Sequence, residues 1–325
     1  MPLIRIFSRD NGAGLSRDLR LLNDILMQAG CDVEVIAFGG GKGVNGLRET
    51  GLRLQRYWRG RADVQIFVER VYPRMLALGR RNLLIPNPEW FRSDWLRYLP
   101  LFDRVLCKTA HAQPIFERLG CPTTLVGFTS ENRMDAAVPR ERAFFHLAGR
   151  SSAKGTAVLL EAWRRHPEWP RLTVVQGARK AAAMTGPGAA SPADNIDHRI
   201  GYLHDREIRQ LQNRHAFHAF PSEMEGFGHS LMEAMSVGAV TLATDGAPMN
   251  ELVQPQHGCL VMPTRSTTKD LSPRYFVDVT GIEEAVTRML QLDETAVRTM
   301  SAAAQAHFQR ADLDFRRRLP AAVMD

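Results

Sequence analysis

The stretch FPSEMEGFGHSLMEAM, Phe220 to Met235, decides how the rest of the chain is read. A short apolar strand, AFHAF, ends at Pro221; Glu225 stands beside the glycine-flanked Phe227, and Glu233 follows eight positions later in helical text. Each glutamate alone has an ordinary structural reading, because carboxylates favour helix starts and glutamate is a good helix former. Gly226 and Gly228 let a ligand come close to the backbone, and the amides of Phe227, Gly228 and His229 are expected to open the helix as an anion site. A carboxylate there repels phosphate, so Glu225 and Glu233 are assigned to neutral hydroxyls. At ~3.6 residues per turn, eight helical positions turn through about 80° net, so the two are expected to point broadly the same way.

Outward from this stretch the text alternates between strand and helix. Upstream, AFFHLAG, AKGTAVLLEAWRRH, RLTVVQG, DHRIGYL and DREIRQLQNR precede it, and AVTLATD follows. From Thr280 the chain reads as helical, opened by a capping box of Thr280 and Glu283. The first half shows the same rhythm, with strands PLIRIFS, DVEVIAF, DVQIFVE, NLLIPN, RVLCKT and TTLVGF. GGGKGVNG reads as a flexible loop, AAAMTGPGAASPADN as a mobile surface loop, and SENRMDAAVPRER as a linker. The expectation is two Rossmann-like, doubly wound α/β domains facing a cleft: 1–135, 136–310, and a C-terminal segment 311–325 packing back on the first.

Composition narrows the class. The 325 residues carry a net charge of +7 and a pI of about 9.6, which suits an anionic partner: phosphorylated substrates, an anionic membrane surface or nucleic acid. Arg53, Arg56, Arg59 and Arg61 gather in one stretch. No apolar run reaches the roughly 18 residues of a membrane span, and MPLIRIFSRD reads as a charged strand, so the protein is expected in the cytoplasm. Cys31, Cys107, Cys121 and Cys259 have no metal-ligand spacing and are expected as buried free thiols. GGGKG lacks the serine or threonine of a phosphate loop, and NGAGLSR departs from a dinucleotide fingerprint after its second glycine. DLD at Asp312 to Asp314 reads as a surface feature, and no metal is expected.

Two further segments share the grammar of strand, glycine turn and helix. GRSSAKG puts Arg150 and Lys154 after a strand, with Gly149 and Gly155 giving the backbone room, a suitable seat for a diphosphate. DGAPMNE places Glu251 on a short helix near the same strand ends. Taken together, GRSSAKG, GYLHDREIRQL, PSEMEGFGHSLMEAMSVG and GAPMNE, in this order over Gly149 to Glu251, resemble the donor half of GT-B glycosyltransferases of the retaining family 4 (group 1) type. DNGAGLSRDLRLL, with Gly12 and Gly14 at a strand-to-helix turn, is similar to the first domain of that family.

The resemblance implies a hexosyltransferase that moves a sugar from a nucleotide-diphosphate donor, UDP- or GDP-linked, to an acceptor hydroxyl with retention and without cofactor or metal. It implies that Arg150 and Lys154 neutralise the leaving diphosphate and that Glu225 holds hexose hydroxyls. Glu233 would hold the ribose. The amides of Phe227, Gly228 and His229, together with Gly12, Gly14 and Gly149, would meet the phosphates. The strand ending near Tyr202 would border the base, and Glu251 would cap the sugar side. The histidine usual near the acceptor is replaced by NPEW, so Asn87, Glu89 and His111 are the acceptor-side candidates. Envelope glycan or glycolipid synthesis at the inner face of a membrane is the expected setting. The alternatives are a nucleic-acid-directed transferase and a degenerate binding protein, which the intact Arg150, Lys154, Glu225 and Glu233 disfavour.

Overall fold

The computed structural model describes residues 1–9, 14–39, 42–149, 151–182 and 193–325. They form two compact units, Met1–Phe128 with Asp312–Asp325, and Thr129–Ala311.

In the first unit β1 (Leu3–Arg9), β2 (Asp32–Phe38), β3 (Ala62–Val68), β4 (Gly79–Ile85), β5 (Arg104–Cys107) and β6 (Thr123–Leu125) form a parallel sheet of order β2-β1-β3-β4-β5-β6. Helices α1 (Gly14–Gln28), α2 (Lys42–Arg59) and α3 (Ala112–Arg118) make crossovers. Near-continuous burial of β1 and β3 is what a sheet covered on both faces requires. Phe7 and Phe67 stack at 5.1 Å, and Phe102 meets Phe67 edge-on at 5.3 Å. The stretch expected as a flexible loop is helical from Lys42 onward.

The second unit holds β7 (Glu141–Gly149), α4 (Thr156–Arg165), β8 (Leu172–Gln176), α5 (Ala178–Ala182), β9 (Ile196–Ile200), α6 (Asp205–Arg214), β10 (His215–Phe220), α7 (His229–Ser236), β11 (Val240–Thr244), α8 (Met249–Leu252) and β12 (Gly258–Val261). Its parallel sheet runs β12-β11-β10-β7-β8-β9. An antiparallel hairpin, β13 (Arg265–Lys269) with β14 (Ser272–Phe276), precedes α9 (Val279–Leu290) and α10 (Glu294–Met324). Trp163 on α4 packs edge-on against Phe144 and Trp169, both at 4.9 Å, among Phe217, Val240, Leu242 and Ile282. From β7 the chain winds outward through β8 and β9, then returns beside β7 as β10 and winds the other way. The strand order therefore reverses between β7 and β10, where ligands of doubly wound sheets bind.

Two local expectations are corrected. The N-cap of α9 is Asp278, whose Oδ1 accepts from the Gly281 amide at 2.9 Å, so the box of Thr280 and Glu283 does not open the helix. The segment 130–142 is no loose linker: its first half is hydrogen-bonded into the second unit, and Glu141 and Arg142 begin β7. The thiols of Cys31, Cys107 and Cys121 are buried, and Cys259 is partly exposed. Burial raises the Cys107 thiol to about 12. Most of AAAMTGPGAASPADN lies outside the described residues.

Candidate functional site

The loops that follow β7 and β10 meet at the point where the strand order reverses. Glu223 N donates to Ala153 O at 2.9 Å, and Ala153 N donates to Ser151 Oγ at 3.1 Å. Gly155 has φ +65°, and a Cβ there would stand 2.1 Å from Pro221 O. Only glycine lets these two backbones approach so closely. His146, fully buried in β7, locks the arrangement from below. Its Nδ1 lies 2.6 Å from Ala219 O and its Nε2 lies 2.9 Å from Thr156 Oγ1. Since a carbonyl only accepts, Nδ1 carries the proton and Nε2 accepts from the threonine hydroxyl. Burial, with smaller contributions from Lys154 and His198, lowers this histidine to about 4, so the ring stays neutral and ties the start of α4 to the end of β10.

Between the loops, the Lys154 ammonium pairs with Glu225 Oε1 and lies 3.4 Å from Ser230 Oγ on α7. Both charged side chains are largely buried, at 15% and 11% exposure. A cavity of about 440 Å³ adjoins the same loop, lined by Ser151, Ser152, Thr156, Gln176, Glu223 and Phe276, among others. Arg274 of β14 holds the Glu223 carboxylate, and Tyr275 N donates to Glu223 O at 2.8 Å, so the hairpin braces the loop after β10.

The other candidates fall as follows. Gly228 is the N-cap of α7 at φ +110°, so His229 is the first helical residue and Phe227 precedes the cap with its ring buried against His229 at 5.3 Å. Of the three amides expected to open the helix, only that of His229 is in its first turn. Glu225 thus sits in the loop, and the pitch argument relating it to Glu233 does not hold: Glu225 turns to Lys154, whereas Glu233 is 3% exposed and accepts from Gln212 Nε2 at 2.8 Å. His229 Nδ1 lies 2.8 Å from Ser130 Oγ. Gly149 ends β7 at φ +55°. Tyr202 is 85% exposed beyond β9, and Glu251 is half-buried on α8. Gly14 is the first residue of α1, while Gly12 and Arg150 lie outside the described residues.

In the first unit, Asn87 and Glu89 are buried after β4, and His111 precedes α3, its pKa lowered by burial and by Arg118. Phe91 is core, packed edge-on against Trp95 and Phe116, and Trp90 is exposed. Asn87 Nδ2 donates to Glu69 Oε1 at 2.5 Å, and Glu69 adopts φ +63° directly after β3. Lys108, directly after β5, lies 4.0 Å from Glu69, 3.4 Å from Asp18 and 4.7 Å above the Phe128 ring. Sequence reasoning passed over Glu69 and Lys108, although each occupies the strand-end position that drew attention in the second half. It also passed over Ser230, which lies within the quoted stretch itself, and Gln212 and Arg133, for which no motif speaks.

Residues 143–274 match the model of the family described as Glycosyl transferases group 1. No curated protein matches the sequence. Among solved structures the chain is similar to sucrose-phosphate synthase (tll1590) from Thermosynechococcus elongatus, at 16% identity and a TM-score of 0.73 over 99% of this chain and 100% of that one. Similar too is Anabaena Alr3699/HepE in complex with UDP-glucose, at 14% identity and a TM-score of 0.70 over all of both chains. The lipopolysaccharide outer core galactosyltransferase WaaB follows at 12% identity and 0.65, over 96% and 99%. At these identities the likeness shows the fold, the two Rossmann-like domains of GT-B proteins.

Proposed function

We propose that the chain is a glycosyltransferase of the group 1 type that takes a sugar from a UDP- or GDP-linked donor and delivers it to an acceptor hydroxyl with retention of configuration. The observation that carries this reading is the convergence of Lys154, Glu225 and Ser230 where the strand order reverses in the domain that the family model covers. HepE, a structural neighbour, was solved with UDP-glucose, which supports a nucleotide-sugar donor.

The chemistry needs a leaving diphosphate whose growing charge is met by preorganised cations and amides. Lys154 supplies an ammonium held ready by Glu225. A donor phosphate replaces that carboxylate as the lysine's partner, releasing Glu225 to accept from hexose hydroxyls. Arg150, the neighbouring cation in sequence, takes the second phosphate, so side chains supply the positive charge. As the bond between the anomeric carbon and the phosphate oxygen breaks, the acceptor oxygen bonds to the same face. The acceptor's proton passes to the departing diphosphate. Glu233 holds the ribose, and the polar groups after β4 of the first domain, Asn87 and Glu89, serve the acceptor. A glycan or lipid-linked hydroxyl, met at the inner face of a membrane through basic surface, is the acceptor class we assign. Among the described residues no helix is long and apolar enough to cross a membrane.

Thermal stabilisation by nucleoside diphosphates and nucleotide sugars tests the reading, since a ligand bound to the native state alone at a hundred times its Kd adds about 2.7 kcal/mol. The expected result is a rise in Tm confined to one base, uracil or guanine. No rise with any member, in a sample shown to be folded, would overturn it.

A further inference from the structure

The strongest polar feature outside the motifs is the guanidinium of Arg133, fully buried in the segment that reads as a linker. Its Nε donates to Gln212 Oε1 at 3.0 Å. One terminal nitrogen reaches Asp205 Oδ1 and Oδ2 at 3.0 and 2.9 Å and Glu131 Oε2 at 3.1 Å, and the other donates to Asp205 O at 3.1 Å. Gln212 in turn donates from Nε2 to Glu233 Oε2 at 2.8 Å.

This chain of bonds has one chemical sense. A guanidinium can only donate, so the Gln212 oxygen must face Arg133 and the amide N–H must face Glu233. The backbone around the amide is fixed as well: His218 Nε2 donates to Gln212 O at 3.0 Å, and Asn213 Nδ2 to Arg133 O at 2.8 Å. A third tie reaches the helix that carries the glutamate, for Arg133 N donates to Ser236 Oγ at 3.0 Å and Ser236 Oγ donates to Glu233 O at 2.7 Å. Burial opposes the charge on Arg133, but Asp205, Glu233 and Glu131 outweigh it and raise the guanidinium above its ordinary range. The neutral amide between the two ions matters. Direct pairing would tie the Glu233 carboxylate to a cation, whereas Gln212 meets it with a neutral amide N–H.

We infer that Arg133 and Gln212 are positioning residues that aim the Glu233 carboxylate at the ribose hydroxyls of the nucleotide, so that a segment outside every recognised motif sets how strictly the site demands a ribose. The inference rests on the donor-site reading given above.

Calorimetric titration with UDP, GDP and their 2′,3′-dideoxy counterparts tests it. The wild-type protein is expected to bind one ribonucleotide at least ~10-fold tighter than its dideoxy form, the scale of one good hydrogen-bonded contact. Gln212→Met, which keeps the volume and removes both bonds, is expected to lose that preference by weakening only the ribonucleotide. Arg133→Lys, which removes the fork that orients the amide, is expected to lose part of it. If Gln212→Met does not fold, as judged by circular dichroism, Gln212→Glu keeps the bond to Arg133 and sets a carboxylate against Glu233, with the same loss expected. A full preference in these variants, or equal weakening of both nucleotides, overturns the relay while leaving the donor site standing. Failure of the wild type to bind UDP or GDP refutes the donor reading itself, and equal binding of ribo and dideoxy forms refutes the ribose role of Glu233.

Discussion

Replacing Lys154 by alanine removes an ammonium already aimed, through Glu225 and Ser230, at the place where the strand order reverses. Loss of one preorganised charge stabiliser costs on the order of 100-fold or more in turnover. Sugar transfer by Lys154→Ala, measured with the donor that stabilises the wild type, is expected to fall by at least ~100-fold, and near-normal turnover would remove the lysine from the chemistry. At this scale the sequence was informative where chemistry and backbone geometry coincide. Lys154 was legible because glycines with positive φ flank its loop and a strand precedes it. Glu225 and Glu233 were legible as residues, yet their relation was not, because the helix begins only at His229 and pitch relates nothing ahead of it. Gln212 and Arg133 left no trace: an amide and a guanidinium in polar text look solvated until the fold buries both.

Among the elements, the hairpin of β13 and β14 is one that the sequence reading missed. Its strands carry Arg265, Thr267, Thr268 and Lys269 in polar text, and β13 is mostly exposed, so neither a buried run nor a clean alternation announces it. What holds it is tertiary. Tyr275 lies against Gly246, where a Cβ would stand 2.6 Å from the ring, and Arg274 grips Glu223. Phe276 is covered by two guanidinium groups, Arg265 at 3.9 Å and Arg274 at 5.0 Å. Gly246→Ala is therefore expected to push the hairpin off the loop it braces and to lower stability by about 1–3 kcal/mol, the usual range for overpacking. Chemical denaturation measures this, and adding Tyr275→Ala should recover part of the loss. Unchanged stability in Gly246→Ala would show that the hairpin gives way freely and braces nothing. The α9 start failed as a reading because Asp278 and Thr280 are both able to cap, and it is the aspartate whose extended backbone and Oδ1 take the cap position, accepting from the Gly281 amide.

At the scale of the whole molecule, the second unit concentrates buried histidines. Burial lowers His146 to about 4, His218 to about 3 and His257 to about 4, with neighbouring charges such as Lys154, Arg140 and Arg310 acting in the same direction. All three bind protons less readily folded than unfolded. Their stabilising contribution is therefore complete above the ordinary histidine pKa near 6.5 and is lost as pH falls from there toward 4. Three such groups give a slope approaching about 4 kcal/mol per pH unit in that window. Calorimetry from pH 7.5 down to 5 is expected to show the transition of this unit dropping steeply below 6.5, and a flat Tm would contradict the burial of these rings. The alternation of strand and helix made two doubly wound sheets legible from the text, because near-continuous apolar strands separated by amphipathic helices have few other ways to bury both faces.

The last helix, α10, begins in the second unit, and its segment from Asp312 onward belongs to the first. There Phe315 meets Phe128 at 4.7 Å and Arg81 donates to Val323 O at 3.1 Å. Seen along the time axis of synthesis, the second unit is thus an insertion, made whole between two portions of the first. A ribosome releases residues 129–311 before it supplies the side chains of Phe315, Leu319 and Val323 that fill the first unit's core. Domains made earlier on the chain generally fold earlier. Here the order inverts, and the unit that starts first is the one that closes last.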